Sequence, residues 1–183
     1  MILVVAATER ELGGHAGLAC GVGPVEAAAA TARALAANLP AAVLHVGLAG
    51  ARRASGLQPP ALVIGSEAVY DDVVIALAPR RVEPDPRLVE AARRALPDAA
   101  VLPIGTSGTV GGTRSHDVEA MEGFAVLRAC ELAGVPAVEV RAISNEIEEE
   151  DRSRWRFDDA LAALDQSLPV LVDSITAAMS PSP

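Results

Sequence analysis

The segment SHDVEAMEGFAVLRACELAG (Ser115–Gly134) runs directly into VPAVEVRAIS (Val135–Ser144), and this pair decides the fold. The first reads as a mostly apolar helix that ends at Gly134. The second is a short apolar run rich in β-branched residues, the signature of a buried strand. A helix that delivers the chain straight into a buried strand is the alternation of an α/β protein.

Working outward, the same alternation recurs. ILVVAAT (Ile2–Thr8) and AAVLHVGLAG (Ala41–Gly50) read as buried strands, separated by an Ala-rich helix within Gly21–Pro40 that carries Pro24 near its first turn. ALVIGSEAVYDDVVIALA (Ala61–Ala78) holds one or two further strands. DPRLVEAARRAL (Asp85–Leu96) is an amphipathic helix with Asp85 as its cap, and AVLPIGTSGTVGGT (Ala100–Thr113) is a strand entering a Gly/Thr loop. The segment Arg154–Met179 makes a final helix or helix pair. The expectation is one domain over residues 1–179, a three-layer α/β/α arrangement on a central mixed, largely parallel sheet. The SPSP tail, 180–183, is expected to fray.

Composition narrows the function. Of 183 residues, 51% are hydrophobic and only 2% aromatic, so the core is built from Ala, Val and Leu, which suits helices packed closely on a buried sheet. The 24 acidic and 15 basic residues leave a net charge of -9, without the basic footprint of a nucleic-acid binder. No apolar run is long enough to span a membrane; LPVLVDSITAAM is broken by Asp173. The amino-terminal stretch reads as a first strand rather than a leader, which points to a cytoplasmic protein. Cys20 and Cys130 form no disulfide framework, and His15, His45 and His116 have no ligand spacing. Neither a metal nor a cofactor is expected.

In open α/β sheets, ligands bind beyond the carboxyl ends of the strands. That rule selects the loops after Thr8, Gly47, Thr106 and Ser144. In the first, Glu9 or Glu11 is either a general base for water or an acid stabilised at a helix N-terminus. GVGPVEAAA lacks the G-x-G-x-x-G spacing, so Gly21 and Gly23 read as a tight turn that brings a helix close to the sheet. Met121 and Glu122 sit in the apolar helix. Glu122 there is either a surface carboxylate or one aimed at a ligand such as the vicinal hydroxyls of a ribose. By itself, Asn145 is a turn residue after a strand.

Taken together and in order, Glu9-Arg10-Glu11, GVGPVEAA, HVGLAG, VEAMEGFAV and VRAIS resemble the purine nucleoside phosphorylase and nucleosidase superfamily. Within it they are similar to the branch of methylthioadenosine/adenosylhomocysteine nucleosidases. GSEAVYDD (Gly65–Asp72), GTSGTVGGT and ISN followed by DRSRW are most similar to the futalosine hydrolases. The resemblance implies hydrolysis of an N-glycosidic bond, releasing hypoxanthine from futalosine on the menaquinone pathway. It gives Glu11 the role of water-activating base and Glu122 that of ribose binder, with Met121 packed on the sugar. Gly47, Ser107, Thr109 and Val110 would line the site. It also implies a small-molecule nucleoside as partner, no nucleic acid or membrane, and a homodimer or higher homo-oligomer.

Adenine-specific members carry an aspartate where this chain has Asn145. A protonated aspartate donates to purine N7 and accepts from the adenine amino group, whereas hypoxanthine offers only acceptors, O6 and N7, on that edge. An amide NH2 offers two donors and suits it. Facing O6 with a carboxylate oxygen would cost roughly 1–3 kcal/mol. A phosphorylase is the rival reading, with Arg52 and Arg53 as candidates for phosphate. Arg52, Arg53, Arg152 and Arg154 are candidates for pairing with the benzoate of futalosine, and Trp155 for packing on its ring. The chain is short for the family between Tyr70 and Thr106, so a degenerate nucleoside-binding homologue is the non-enzyme alternative. The acidic run Glu146–Asp151 reads as a solvated surface, with Asp151 capping the next segment.

Overall fold

Two nearly unbroken apolar runs become the centre of the sheet. In the computed structural model, which describes residues 1–73 and 75–180, β3 (Ala42–Ala51) pairs in parallel with β8 (Ala137–Glu146), from Val43 opposite Ala137 to Ala51 opposite Glu146. Both are buried along almost their whole length, as strands covered on two faces must be. On one side β3 continues in parallel to β1 (Ile2–Ala6) and then β2 (Leu18–Ala19). On the other, β8 meets β4 (Leu62–Tyr70) antiparallel, and β4 runs parallel to β6 (Ala100–Thr106). A short β7 (Val118–Ala120) lies parallel to β6 and antiparallel to β3, so five strands close into a ring. β5 (Arg81–Val82) edges β4. The sheet is mixed and largely parallel, as expected.

Side chains on consecutive strand residues point to opposite faces, and the two faces bury different helices. Val4 and Leu44 pack with Leu88 of α3 (Pro86–Ala95) and with Leu164, Leu168 and Leu171 of α5 (Phe157–Met179). Their neighbours Val5 and Val43 pack with Ala27 and Leu35 of α2 (Pro24–Ala37) and Leu127 of α4 (Gly123–Ala133). Inside the ring a third cluster of mostly small residues, including Ala49, Ala51, Val118 and Ala120, fills the narrow space. The layers are therefore helix, sheet, helix.

Local signals hold where expected. Asp85 caps α3 by accepting from the Arg87 N–H at 2.9 Å, Pro24 opens α2, and Gly134 closes α4 in the left-handed region at φ 69°. The final segment is one helix with Pro169 inside it.

One boundary differs. The helix expected over Ser115–Gly134 begins only at Gly123, because Val118–Ala120 is taken into the ring as β7. Pairing with two neighbours outweighs a helical pattern that a three-residue strand barely disturbs. Met121 and Glu122 thus occupy the turn between β7 and α4 rather than a helix interior.

Val74, within the stretch expected to hold one or two strands, and residues 181–183, most of the expected frayed tail, lie outside the described residues. Cys20 and Cys130 are buried and unpaired; burial pushes their thiols up, to about 11 and about 12, so neither is a nucleophile at neutral pH. No helix among the described residues is long and apolar enough to cross a membrane.

Candidate active site

The carboxyl ends of β1, β3 and β8 open on a cavity of about 450 Å³. Glu11, Met121, Glu122, Val110 and Asn145 all line it, so most of the residues singled out from sequence converge there.

Glu11 arrives on α1 (Glu9–Leu12), a single turn whose N-cap is Thr8. Its carboxylate closes a capping box: the Thr8 N–H donates to Oε2 at 2.9 Å and the Thr8 hydroxyl at 2.8 Å. Oε1 accepts from the Leu48 N–H of β3 at 3.0 Å and retains a lone pair. The helix-terminus role of this acid and its place in the cavity are therefore compatible.

Glu122 is held from two sides. Oε1 accepts from the Gly23 N–H at 3.0 Å, and Oε2 accepts from Nη1 of Arg141 at 3.3 Å. Gly21 and Gly23 both sit at φ 90°, a region side chains avoid. That is how the GVGP turn aims an N–H at this carboxylate.

Arg141 is the largest fully buried side chain. Its Nε donates to Glu139 Oε1 at 2.7 Å, Nη1 to Glu122 and to the Leu48 carbonyl, and Nη2 to Nε2 of His45. Nδ1 of His45 in turn donates to the Val5 carbonyl at 3.0 Å, which fixes the tautomer. Burial and the Arg141 charge hold the imidazole well below its usual pKa, so it stays neutral. Burial pushes the Glu139 carboxyl up, opposed by Arg141, and its Oε2 has no hydrogen-bond partner among the described residues.

Gly47 does not line the cavity; it makes room behind it. A Cβ there would overlap Arg141 Nη1 and approach Glu11 Oε1 to 2.9 Å. Gly47→Ala is expected to lose about 1–3 kcal/mol of stability through this overpacking, measured as a lower midpoint in a denaturant melt. A neutral substitution would mean that the Arg141–Glu11 approach is not tight.

Asn145 ends β8. Its Oδ1 accepts from the Ser144 hydroxyl at 2.8 Å, and Nδ2 donates to the Glu146 carbonyl at 3.0 Å. One N–H of the amide is therefore committed, leaving one donor for the cavity rather than the two expected from sequence.

The Gly/Thr loop presents only Val110. Ser107 and Thr109 do not line the cavity: Ser107 Oγ donates to Asp72 at 2.8 Å and accepts from the Thr109 backbone N–H, and Thr109 itself is exposed. Glu119 accepts from the Gly111 and Thr113 N–H groups, each at 2.6 Å, and His116 pairs with Asp71 at 3.0 Å.

None of the four arginines considered for an anion lines the cavity. Arg52 donates to the Thr113 and His116 carbonyls, Arg53 to Glu146, Arg154 pairs with Glu149, and Arg152 lies over the Trp155 ring. The acidic run is thus partly structural: it carries these ion pairs, Asp151 caps the turn at Ser153, and the Glu149 carbonyl accepts from the Trp155 indole. Trp155 does line the cavity, together with Arg10, Phe157, Leu161 and Val22. Among the described residues no group of three or more His, Cys, Asp and Glu side chains is arranged to hold a metal ion.

Sequence reading missed Thr8, Arg10, His45, Glu139 and Arg141. A signal existed for the buried group: Glu139 and Arg141, two residues apart in an otherwise apolar strand, share one face and require a partner there.

Fold and site together place the molecule: the chain belongs to the phosphorylase superfamily, whose family model matches residues 16–177. Within it, the chain is 35% identical over 180 residues to the futalosine hydrolase of Streptomyces coelicolor, a match taking in 80% of this chain and 74% of that protein. In three dimensions it resembles Streptococcus pneumoniae MTA/SAH nucleosidase, solved with 8-aminoadenine (TM-score 0.83, 21% identity, 94% of this chain and 99% of that one). It also resembles futalosine hydrolase of Helicobacter pylori (TM-score 0.82, 17% identity, 94% and 97%). At these identities the two structures speak to the fold.

Proposed function

We propose that this chain is an N-glycosyl hydrolase that cleaves futalosine, releasing hypoxanthine and dehypoxanthine futalosine. The observation that carries this reading is the convergence of Glu11, Glu122 and Asn145 on one cavity in a chain 35% identical to a futalosine hydrolase. The same convergence favours an enzyme over a degenerate binding homologue.

In this reading, Glu122 accepts hydrogen bonds from the ribose hydroxyls and Met121 packs on the sugar. Glu11, through the lone pair left on Oε1, takes the proton of a water that attacks C1′. The C1′–N9 bond breaks with its electron pair going to the base. Asn145 donates its remaining N–H to the O6/N7 edge and stabilises the charge developing there, without delivering a proton. A single shared donor suffices for an edge made of two adjacent acceptors. The commitment of Arg52 to loop carbonyls and of Arg53 to Glu146 supports hydrolysis over phosphorolysis.

Asn145→Asp is expected to shift the ratio of kcat/KM for methylthioadenosine over futalosine by about 10- to 100-fold toward the adenine nucleoside, the equivalent of roughly 1–3 kcal/mol. An unchanged ratio would remove Asn145 from base recognition. With futalosine as substrate the reaction falls in menaquinone biosynthesis, in the cytoplasm. Exposed apolar side chains such as Leu77 and Val25 support a homo-oligomer.

A further inference from the structure

The cavity changes character away from the acids and the amide. Its outer wall is Val22, Trp155, Phe157 and Leu161, and Arg10 is the only cation lining it among the described residues. Arg10 precedes Glu11 on α1, so while Glu11 turns inward and is buried, Arg10 stays at the rim. Among the described residues it makes one side-chain hydrogen bond, from Nη2 to Asp158 Oδ1 at 3.1 Å, in the first turn of α5 next to Phe157. Both partners are largely exposed, at 72% and 94%. An exposed pair of this kind contributes little. Arg10 can therefore exchange Asp158 for another carboxylate at small cost, and its planar fork can grip that carboxylate with two parallel N–H groups.

We infer that Arg10 is the specificity-determining cation for a carboxylate carried on the 5′ substituent of the nucleoside, with Trp155 and Phe157 as the aromatic wall along which that substituent lies. This rests on the proposed function: with the base at Asn145 and the ribose hydroxyls at Glu122, the α1–α5 wall is left for the 5′ side. The Trp155 and Phe157 rings meet edge to face at 5.5 Å, a surface suited to a flat aryl group. The ligand class is a 6-oxopurine nucleoside whose 5′ extension is aromatic and ends in a carboxylate. Asp158 is the placeholder that neutralises Arg10 until such a ligand arrives.

The test compares wild type, Arg10→Gln and Asp158→Asn on futalosine, its carboxyl methyl ester and inosine. Arg10→Gln is expected to lower kcat/KM for futalosine by about 10- to 100-fold, chiefly through KM, the loss of a charge-assisted pair. It should cost far less on the ester and on inosine, with little change in Tm. Asp158→Asn, which removes the negative charge competing for Arg10, is expected to lower KM for futalosine. If wild type cleaves futalosine but Arg10→Gln affects all three substrates equally, or none, the role of Arg10 is overturned while the proposed function stands. If wild type cleaves inosine and not futalosine, the proposed function itself fails.

Discussion

Glu11→Gln is expected to lower kcat for futalosine hydrolysis by about 10²–10⁴-fold, the usual contribution of a positioned general base. The substitution is informative because Glu11 has two tasks that glutamine separates. The capping box with Thr8 requires an acceptor at the third helical position, and glutamine satisfies it as well as glutamate. The single amide oxygen cannot also serve the Leu48 N–H, which is left facing the amide NH2 where Oε1 stood. The acceptor at Oε1 is lost, and with it the capacity to take a proton from water. The cap survives, so folding stability should fall by about 1–3 kcal/mol, the cost of one unpaired N–H, while turnover collapses by the larger factor. A variant that melts early and retains turnover would assign Glu11 to the helix terminus alone. Glu11→Ala would confound the two, since it removes cap and base together.

The second large effect falls on a residue that need not touch substrate. Arg141→Leu is expected to destabilise the fold by about 3–5 kcal/mol, the cost of leaving buried charge uncompensated. Among the described residues, Glu139 would lose its only hydrogen-bond donor and Glu122 one of its two, and Nε2 of His45 would be left facing an alkyl chain. Against a total stability of about 5–15 kcal/mol for a domain, that is a severe loss, read directly as a fall in the denaturant midpoint. Arg141→Lys should rescue little, because an ammonium cannot reach Glu139, Glu122 and His45 at once. A loss under about 1 kcal/mol would mean that the buried carboxylates are not held by this guanidinium. Arg141 is a positioning residue. By fixing Glu122 and standing near Glu11 it sets the geometry of both acids, so its surviving variants should show raised KM as well as reduced stability.

Range of interaction decided how much of this was legible in the sequence. Strand after strand of Val, Ile, Leu and Ala separated by helices is a local pattern, and it gave the layered fold without reference to anything distant. The placement of Glu11, Glu122 and Asn145 was legible because each lies in a recognisable short motif. β7 was not, since three residues cannot declare a strand when the partners that recruit them, β3 and β6, lie far off in the chain. The Arg141 network was hidden for the same reason. It exists because β3 and β8 pair in a register that sets His45 beside Glu139 and Gly47 beside Arg141. The missing side chain at Gly47 is the space the guanidinium uses. Ser107 and Thr109 were read as cavity lining because hydroxyls in a Gly-rich loop suit a polar ligand equally well. Only the position of Asp72 shows that Ser107 binds inward.

Hydrolysis of a 6-oxopurine nucleoside in this cavity requires water, and not phosphate, as the nucleophile. The most direct measurement is the release of hypoxanthine from futalosine by the purified protein, in phosphate-free buffer and again with phosphate added. Release at the same rate in both, with the free sugar as the second product, is the predicted result. Release that appears only with phosphate and yields a sugar 1-phosphate, or no release in either buffer, would contradict it.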